Sequence, residues 1–265
     1  MKITILGSGN MGGAIAGGIL QSGYCQPGDM TCTARSQATL ERLRSLDPGL
    51  NLTLDNAVAV KGADMIIMAV KPWKMETVID EIKGVLDYGK QIVVSVAANV
   101  SIADLERMLL KEGDNIPLPV IFRAMPNTAV EVRSSVTFLA TRNGSEEHVS
   151  AVSGLFGLLG KAVLIEEKLM AAGTALASCG IAFAFRYIRA AMEGGIEMGF
   201  SAKDAQEIVS MTVKGAAELL LSHKDNPEVE IDKVSTPGGI TIKGLNCMER
   251  YGFSTAVIEG LKASK

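Results

Sequence analysis

The sequence predicts an α/β protein: a doubly wound, mostly parallel sheet over residues 1–165, then an all-α unit over residues 166–265. Three observations predict it. An apolar run, Ile3 to Leu6, enters Gly7-x-Gly9-x-x-Gly12 and an Ala/Ile/Leu-rich helical pattern reaching Leu20. Strand and helix patterns then alternate as far as Ile165, as in a parallel sheet covered by crossover helices. From Glu166 onward strand patterns vanish and helices follow one another.

Each glycine of the first turn has its own physical task. Gly7 makes the tight turn, Gly9 lets backbone approach a pyrophosphate, and Gly12 lets helix pack on strand. With a strand before and a helix after, Leu6, Gly7, Ser8, Gly9, Asn10, Met11 and Gly12 read as a dinucleotide-binding turn, and the first domain as Rossmann-type. Met30 to Ala34 is the second strand and ends in Arg35-Ser36, with no acid until Glu41. NAD binders place an acid about 20 residues past the glycines, where it would repel a 2′-phosphate. Arg35 can grip such a phosphate and Ser36 can donate to it, so NADPH is the expected cofactor and NADH the second choice.

A helix over Gln37 to Leu46, a short strand at Asn51 to Thr53 and a turn of helix after Asp55 follow; Asn56 there reaches the adenosine side. Asp64 to Val70 reads as a parallel strand buried on both faces, ending in the sharp turn Ala69-Val70-Lys71-Pro72. A helix from Lys74 to Lys83 leads to a strand from Gln91 to Val96. The small side chains of Ser95-Val96-Ala97-Ala98 leave room for a flat nicotinamide against backbone. Ser101 to Met108 is a helix with Ser101 as cap and Asp104 three residues on. Val120 to Ala124 and Ser135 to Ala140 are strands, and Asn127 beyond the first can bond a ligand. A helix over Glu146 to Leu158 and a strand over Ala162 to Ile165 complete the layer.

In the second unit helices are expected at Lys168 to Gly199, Ala202 to His223, Gly239 to Tyr251 and Ser254 to Ala263, with Ser201 and Ser254 as caps. Asp225 to Glu230 reads as a polar loop. Leu169 to Phe185 carries no charge, but it falls short of the roughly 20 residues of a membrane span and contains Gly173, Thr174, Ser178 and Gly180. It reads as a core or subunit-contact helix. A helical unit of this size, rich in Ala and Gly, scarcely buries itself alone, so dimerisation is expected.

Thr236-Pro237-Gly238-Gly239-Ile240-Thr241 reads as a helix start, with Thr236 as N-cap and Pro237 at the first helical position. The Gly238 and Gly239 amides are then uncovered at the positive end of the helix, a socket for a small carboxylate. Thr241, four residues after Pro237, places its hydroxyl on the same side. No histidine stands near these turns. A carbonyl substrate generally needs a proton donor, whereas an imine can bind already protonated. Thr241 is therefore the expected partner of an imine nitrogen, with Lys71 as rival proton donor or cofactor-ribose contact.

Net charge is −3 with no basic run, which argues against a nucleic-acid partner. The four cysteines are scattered and the two histidines distant, so no metal site is expected, and the thiols read as reduced, buried and cytoplasmic. Only Met1 and Lys2 precede the first strand, so no secretory signal is expected.

Together, I-L-G-S-G-N-M-G at 5–12, A-V-K-P at 69–72, R-A-M-P-N at 123–127 and T-P-G-G-I-T-I-K-G at 236–244 resemble the pyrroline-5-carboxylate reductase family along the whole chain. The resemblance implies NAD(P)H-dependent reduction of the cyclic imine L-1-pyrroline-5-carboxylate to L-proline, the last step of proline biosynthesis. It implies an imino-acid substrate and an all-α dimerisation domain whose helices complete the partner's site, with decamers in many members. By carry-over the Gly238, Gly239 and Ile240 amides receive the carboxylate and Thr241 contacts the ring nitrogen, with Asn127 and Ser178 on the substrate side. Ala69 to Pro72 and Val96 to Ala98 line the nicotinamide half; Ser36 and Asn56 hold the adenosine half. Three departures stand out. Ser178-Cys179-Gly180-Ile181-Ala182 lacks the proline of the family's Ser-Gly-Pro-Ala, Asn99 replaces a common glycine, and Lys233 sits where some relatives carry asparagine. The rival readings are another small NADPH-dependent imine, ketone or deazaflavin reductase, and a non-catalytic NADPH sensor.

Overall fold

The computed structural model describes residues 1–111 and 117–265. The chain divides into two compact units, Met1–Thr174 and Ala175–Lys265.

In the first unit the elements are β1 (Ile3–Leu6), α1 (Asn10–Ser22), β2 (Met30–Thr33), α2 (Gln37–Arg44), β3 (Asn51–Thr53), α3 (Asn56–Ala59), β4 (Met65–Met68), α4 (Met75–Ile82) and β5 (Ile92–Ser95). Then come α5 (Ile102–Leu109), β6 (Val120–Met125), β7 (Ser135–Thr141), α6 (Glu146–Gly157), β8 (Gly160–Leu164) and the short α7 (Met170–Gly173). The strands form one eight-stranded sheet in the order β3-β2-β1-β4-β5-β6-β7-β8. The order reverses at β1, which pairs in parallel with both β2 and β4. Such a switch point opens a crevice beyond the carboxyl ends of the strands. Alternation along the strands fills both faces: Ile3 and Ile5 pack with Ile15, Ile19 and Phe156, while Leu6 packs with Met68, Ile79 and Val93.

β7 runs antiparallel to β6. Only Pro126 to Ser134 joins them, too few residues for the crossover that a parallel pair needs. β8 returns parallel to β7. At its start Gly160 has φ +138°, and a Cβ there would lie 2.1 Å from the Ser135 carbonyl oxygen, so the approach of these strands requires glycine.

Behind β6 an ion network ties the end of this unit to the sheet. Glu167 accepts from the Ile102 amide (2.7 Å), which opens α5, and from Arg123 of β6 (3.0 Å). Its other oxygen accepts from Arg142 (3.1 Å), which also reaches Glu106 (3.2 Å). Three residues past Glu167, Met170 is buried among Met68, Val100 and Ile121. Gly173 rests so close to the Phe138 ring that a Cβ would stand 2.8 Å from it. These contacts explain why residues 166–174 pack with the sheet.

The helical unit holds α8 (Gly180–Glu197), α9 (Ala202–His223), α10 (Pro227–Lys233), α11 (Ile240–Arg250) and α12 (Phe253–Ala263). A π-helical turn, Thr174–Cys179, precedes α8. The helix expected over Lys168 to Gly199 is thus present but carries one wide turn, which ends just before Gly180. Ser201 caps α9, accepting from the Asp204 amide (3.1 Å). Three expectations are corrected. Ser254 is not a cap: Gly252, with φ +76°, occupies that position, and Ser254 bonds Glu249 through its amide (3.0 Å) and its hydroxyl (2.5 Å). Pro227–Lys233 is helical rather than part of a loop, because Asn226 accepts from the Glu228 amide (3.0 Å) and Pro227 starts the turn. Thr236 is not an N-cap either. Its carbonyl accepts from the Gly239 amide (2.9 Å) across a tight turn with Gly238 at φ +71°, the geometry of a type II turn with proline at its second position.

Candidate dinucleotide edge and carboxylate socket

The dinucleotide edge follows from the glycine turn. Gly7 has φ +83°, and a Cβ there would meet Val70 Cγ1 at 2.6 Å. A Cβ on Gly12 would meet the Gly7 carbonyl oxygen at 2.7 Å and Ala69 Cβ at 3.0 Å. Both glycines are therefore dictated by internal packing. A Cβ on Gly9 would meet no atom within 4 Å. Nothing inside the protein demands glycine there, which is what an approach by ligand would require. The start of α1 has no side-chain cap and no acid in its first turn, so its positive end faces the crevice bare.

Backbone bonds bring the other predicted segments to this edge. The Ala69 amide donates to Leu6 (2.8 Å), the Val96 amide to Met68 (3.0 Å), and the Ala97 amide to Ser95 Oγ (3.3 Å). Leu6, Ser8, Ser95 and Ala97 are buried; Met11, Val70, Pro72 and Val96 are half-buried; Asn10, Lys71 and Ala98 are exposed. Asn99 has φ +61°, a conformation glycine adopts freely and asparagine tolerates. Either residue would therefore fit this place.

On the adenosine side the Ser8 amide donates to the Thr33 carbonyl (2.7 Å). Arg35 and Ser36 are exposed at the carboxyl end of β2. Ser36 caps α2, accepting from the Thr39 amide (3.4 Å) while its hydroxyl meets that of Thr39 at 3.0 Å. Asn56 opens α3 behind its cap, Asp55. Sequence reasoning missed Arg42. From α2 its guanidinium donates to the carbonyls of Ser8 (3.3 Å) and Gly9 (3.1 Å), pinning the glycine turn. A contact between side chain and carbonyl across 33 residues leaves no sequence signal. Asn127, at the end of β6, is buried; its side chain caps the following turn by accepting from the Ala129 amide (3.0 Å).

In the helical unit the candidate socket is the start of α11. The Gly239 amide is already bonded to Thr236, so the pair of uncovered glycine amides expected from the sequence does not form. The bare donors belong instead to the first turn, which begins with Ile240 and Thr241, since a helix leaves its first amides without an intrahelical partner. Pro237 lies outside the helix, so Thr241 stands on α11 by its own position, second in the first turn, and is exposed. Ser178 is a half-buried residue of the π turn.

Of the four thiols, all free, only Cys32 is buried, and burial pushes it up to about 11. Cys25 and Cys179 are half-buried and Cys247 is exposed, which corrects the expectation of buried thiols throughout. His223, Asp225 and Glu230 offer ligand atoms within 4.8 Å of one another. The Lys233 ammonium already sits among them, donating to Asp225 (3.0 Å) and Glu230 (2.7 Å). That bonding, with His223 beside it, holds the Glu230 carboxyl below its usual range.

A dinucleotide turn at the switch point of a mostly parallel sheet, followed in the chain by a separate helical unit, defines a small nicotinamide-dependent oxidoreductase. Residues 2–99 match the family model described as NADP oxidoreductase coenzyme F420-dependent, and residues 167–265 match that described as pyrroline-5-carboxylate reductase dimerisation. The chain is 39% identical over 99% of its length to pyrroline-5-carboxylate reductase 1 of Dictyostelium discoideum, of which it spans about half (48%). It is 36% identical to pyrroline-5-carboxylate reductase 2 of the same organism, covering 99% of this chain and 90% of that one. The reductase from Aquifex aeolicus is 37% identical, with 98% and 93% covered. A solved pyrroline-5-carboxylate reductase from Coxiella burnetii superposes with a TM-score of 0.90 at 28% identity, over 99% of this chain and 95% of that one. The Plasmodium falciparum enzyme with NADP bound gives 0.86 at 26%, over 100% and 95%. This chain belongs to the pyrroline-5-carboxylate reductase family.

Proposed function

We propose that the protein reduces L-1-pyrroline-5-carboxylate to L-proline with NADPH, closing proline biosynthesis. The reading is carried by a family match that spans both units, with 36% identity over 90% of a reductase of similar length. When bound, NADPH supplies the hydride that reduces the C=N carbon, and the ring nitrogen keeps the proton it brings. The residues present fit that cofactor. Gly9 leaves open space, the α1 start is bare of acids, and the second strand ends in a cation. In this reading the turn from Leu6 to Gly12 binds the pyrophosphate, held in shape by Arg42. Arg35 pairs with the 2′-phosphate, Ser36 and Asn56 hold the adenosine half, and Ala69 to Pro72 with Ser95 to Ala98 enclose the nicotinamide half. The Gly238 and Ile240 amides and the positive end of α11 receive the substrate carboxylate. Thr241 bonds the ring nitrogen, with Asn127 and Ser178 alongside.

We assign the protein a homodimer built through the helical unit, with decamers of such dimers and a cytoplasmic location. Water-exposed Leu176, Phe185, Ile208 and Met211 support the dimer, since apolar surface of this extent on a single chain calls for a partner. The helical run Glu167–Glu197 is long and apolar enough to cross a membrane by length and composition. Because the dimerisation model covers this run, we read it as a subunit contact.

Purified protein should oxidise NADPH when pyrroline-5-carboxylate is added, with proline as product. A folded dimer that binds NADPH yet shows no turnover would point to a sensor instead.

A further inference from the structure

A chain of hydrogen bonds leaves the glycine turn and ends on an acid that neither the motifs nor the proposed mechanism uses. The Gly7 amide donates to Thr33 Oγ1 (3.1 Å), the Thr33 hydroxyl donates to Asn56 Oδ1 (2.7 Å), and Asn56 Nδ2 donates to Glu81 Oε2 (2.7 Å). Every direction in this chain is forced. An amide N–H only donates, so Thr33 accepts there and keeps its single proton to give elsewhere. A carboxylate only accepts, so Asn56 turns its NH2 toward Glu81 and its carbonyl toward Thr33. Without the acid, Asn56 would be free to flip, turning NH2 toward Thr33 and taking away the acceptor of the threonine proton.

The placement of the two ends gives this orientation a use. Thr33 is buried, whereas Glu81 is exposed. Leu54, Asp55, Asn56, Ala57 and Glu81 line one open cleft of about 510 Å³ beside the carboxyl ends of β2 and β3. The amide edge of Asn56 on the cleft side is therefore its NH2, which carries a second proton beyond the one given to Glu81. A donor held there suits the oxygens of a ribose or its phosphate and rejects nothing that a phosphate offers.

We propose that Glu81 is a positioning residue for the dinucleotide: it locks Asn56 with its NH2 toward the cleft and, through Thr33, fixes the amide of Gly7 at the base of the glycine turn. This rests on the reading of the edge as an NADPH site. Glu81 acts only through Asn56, so the two residues form one unit.

A double-mutant cycle on the full-length protein tests it, read as the NADPH dissociation constant from fluorescence titration without substrate, with circular dichroism confirming the fold. Glu81→Ala should weaken NADPH by roughly threefold to tenfold, the effect of one net hydrogen bond. Glu81→Gln, which keeps the volume but lets both amides flip, should fall between Glu81→Ala and the parent. In an Asn56→Ala background, Glu81→Ala should change nothing further. Binding as tight in Glu81→Ala as in the parent overturns the proposal, and so does equal weakening in both backgrounds. A parent protein that fails to bind NADPH overturns the functional reading, and this inference with it.

Discussion

Replacing Glu167 by Gln removes one negative charge from a carboxylate on which three donors converge. Arg123, whose side chain is only 11% exposed, would then lose its one bonded carboxylate, with Asp104 left as the nearby negative charge. Among the described residues its Nε already has no acceptor. Arg142 is 51% exposed and loses little, because water and Glu106 remain to it. Breaking a buried ion pair from one side costs about 3–5 kcal/mol, and the residual exposure here favours the lower end, about 3 kcal/mol. In a domain of roughly 150–250 residues each kcal/mol moves Tm by about 2–4 °C, so a fall of about 6–12 °C is expected at pH 7.

The pH dependence of that difference is a second, independent reading. Burial alone would raise the Glu167 carboxyl, but the Ile102 amide together with Arg123 and Arg142 outweighs it and holds the group below its usual value of 4.5. A carboxyl depressed on folding contributes stability that is fully present above the unfolded value and disappears as pH falls through the folded one. The gap between parent and Glu167→Gln should therefore be constant near neutrality and narrow on acidification below about pH 4.5. Thermal scans at one fixed protein concentration across this range measure both. A fall in Tm under about 2 °C at pH 7, or a gap that does not close in acid, would refute the idea that this charge is what steadies the network.

Other expectations are simpler to read. Thr241→Ala should lower kcat by roughly tenfold or more, as expected for a lost bond to a charged nitrogen, while NADPH binds as before; an unchanged rate removes Thr241 from the mechanism. Arg35→Ala should weaken NADPH by roughly tenfold or more and leave NADH nearly untouched, and equal weakening of both would make the arginine structural. Gly12→Ala puts a methyl 2.7 Å from the Gly7 carbonyl oxygen, so NADPH titration should show lost affinity at a stability cost of about 1–3 kcal/mol. If that variant binds like the parent, the turn is softer than its packing implies.

The alternation of elements was legible because each strand is a short apolar run with turn residues behind it, as with Met65–Met68 before Lys71-Pro72. The reversal of β7 follows from the brevity of the link before it, a matter of chain reach rather than of residue pattern. α10 escaped notice because Pro227–Lys233 has no apolar stripe, although Asn226-Pro227 is itself a start signal. Thr236-Pro237-Gly238-Gly239 fits both a capped helix and a type II turn, and the glycine at the third place decides for the turn through its positive φ. Arg42 and Glu81 were invisible for a different reason. Each sits on an ordinary amphipathic helix and gains its meaning from a carbonyl or an amide met only across the folded sheet edge.

The helices after Thr174 leave Leu176 and Phe185 each 64% open to water. If this unit pairs as proposed, mass action governs it: dilution would strip away the cover and loosen the fold together, so the unfolding midpoint would depend on how much protein is in the tube. It also means that a defective copy made beside a sound one will not stay a private failure, because the two will share a surface.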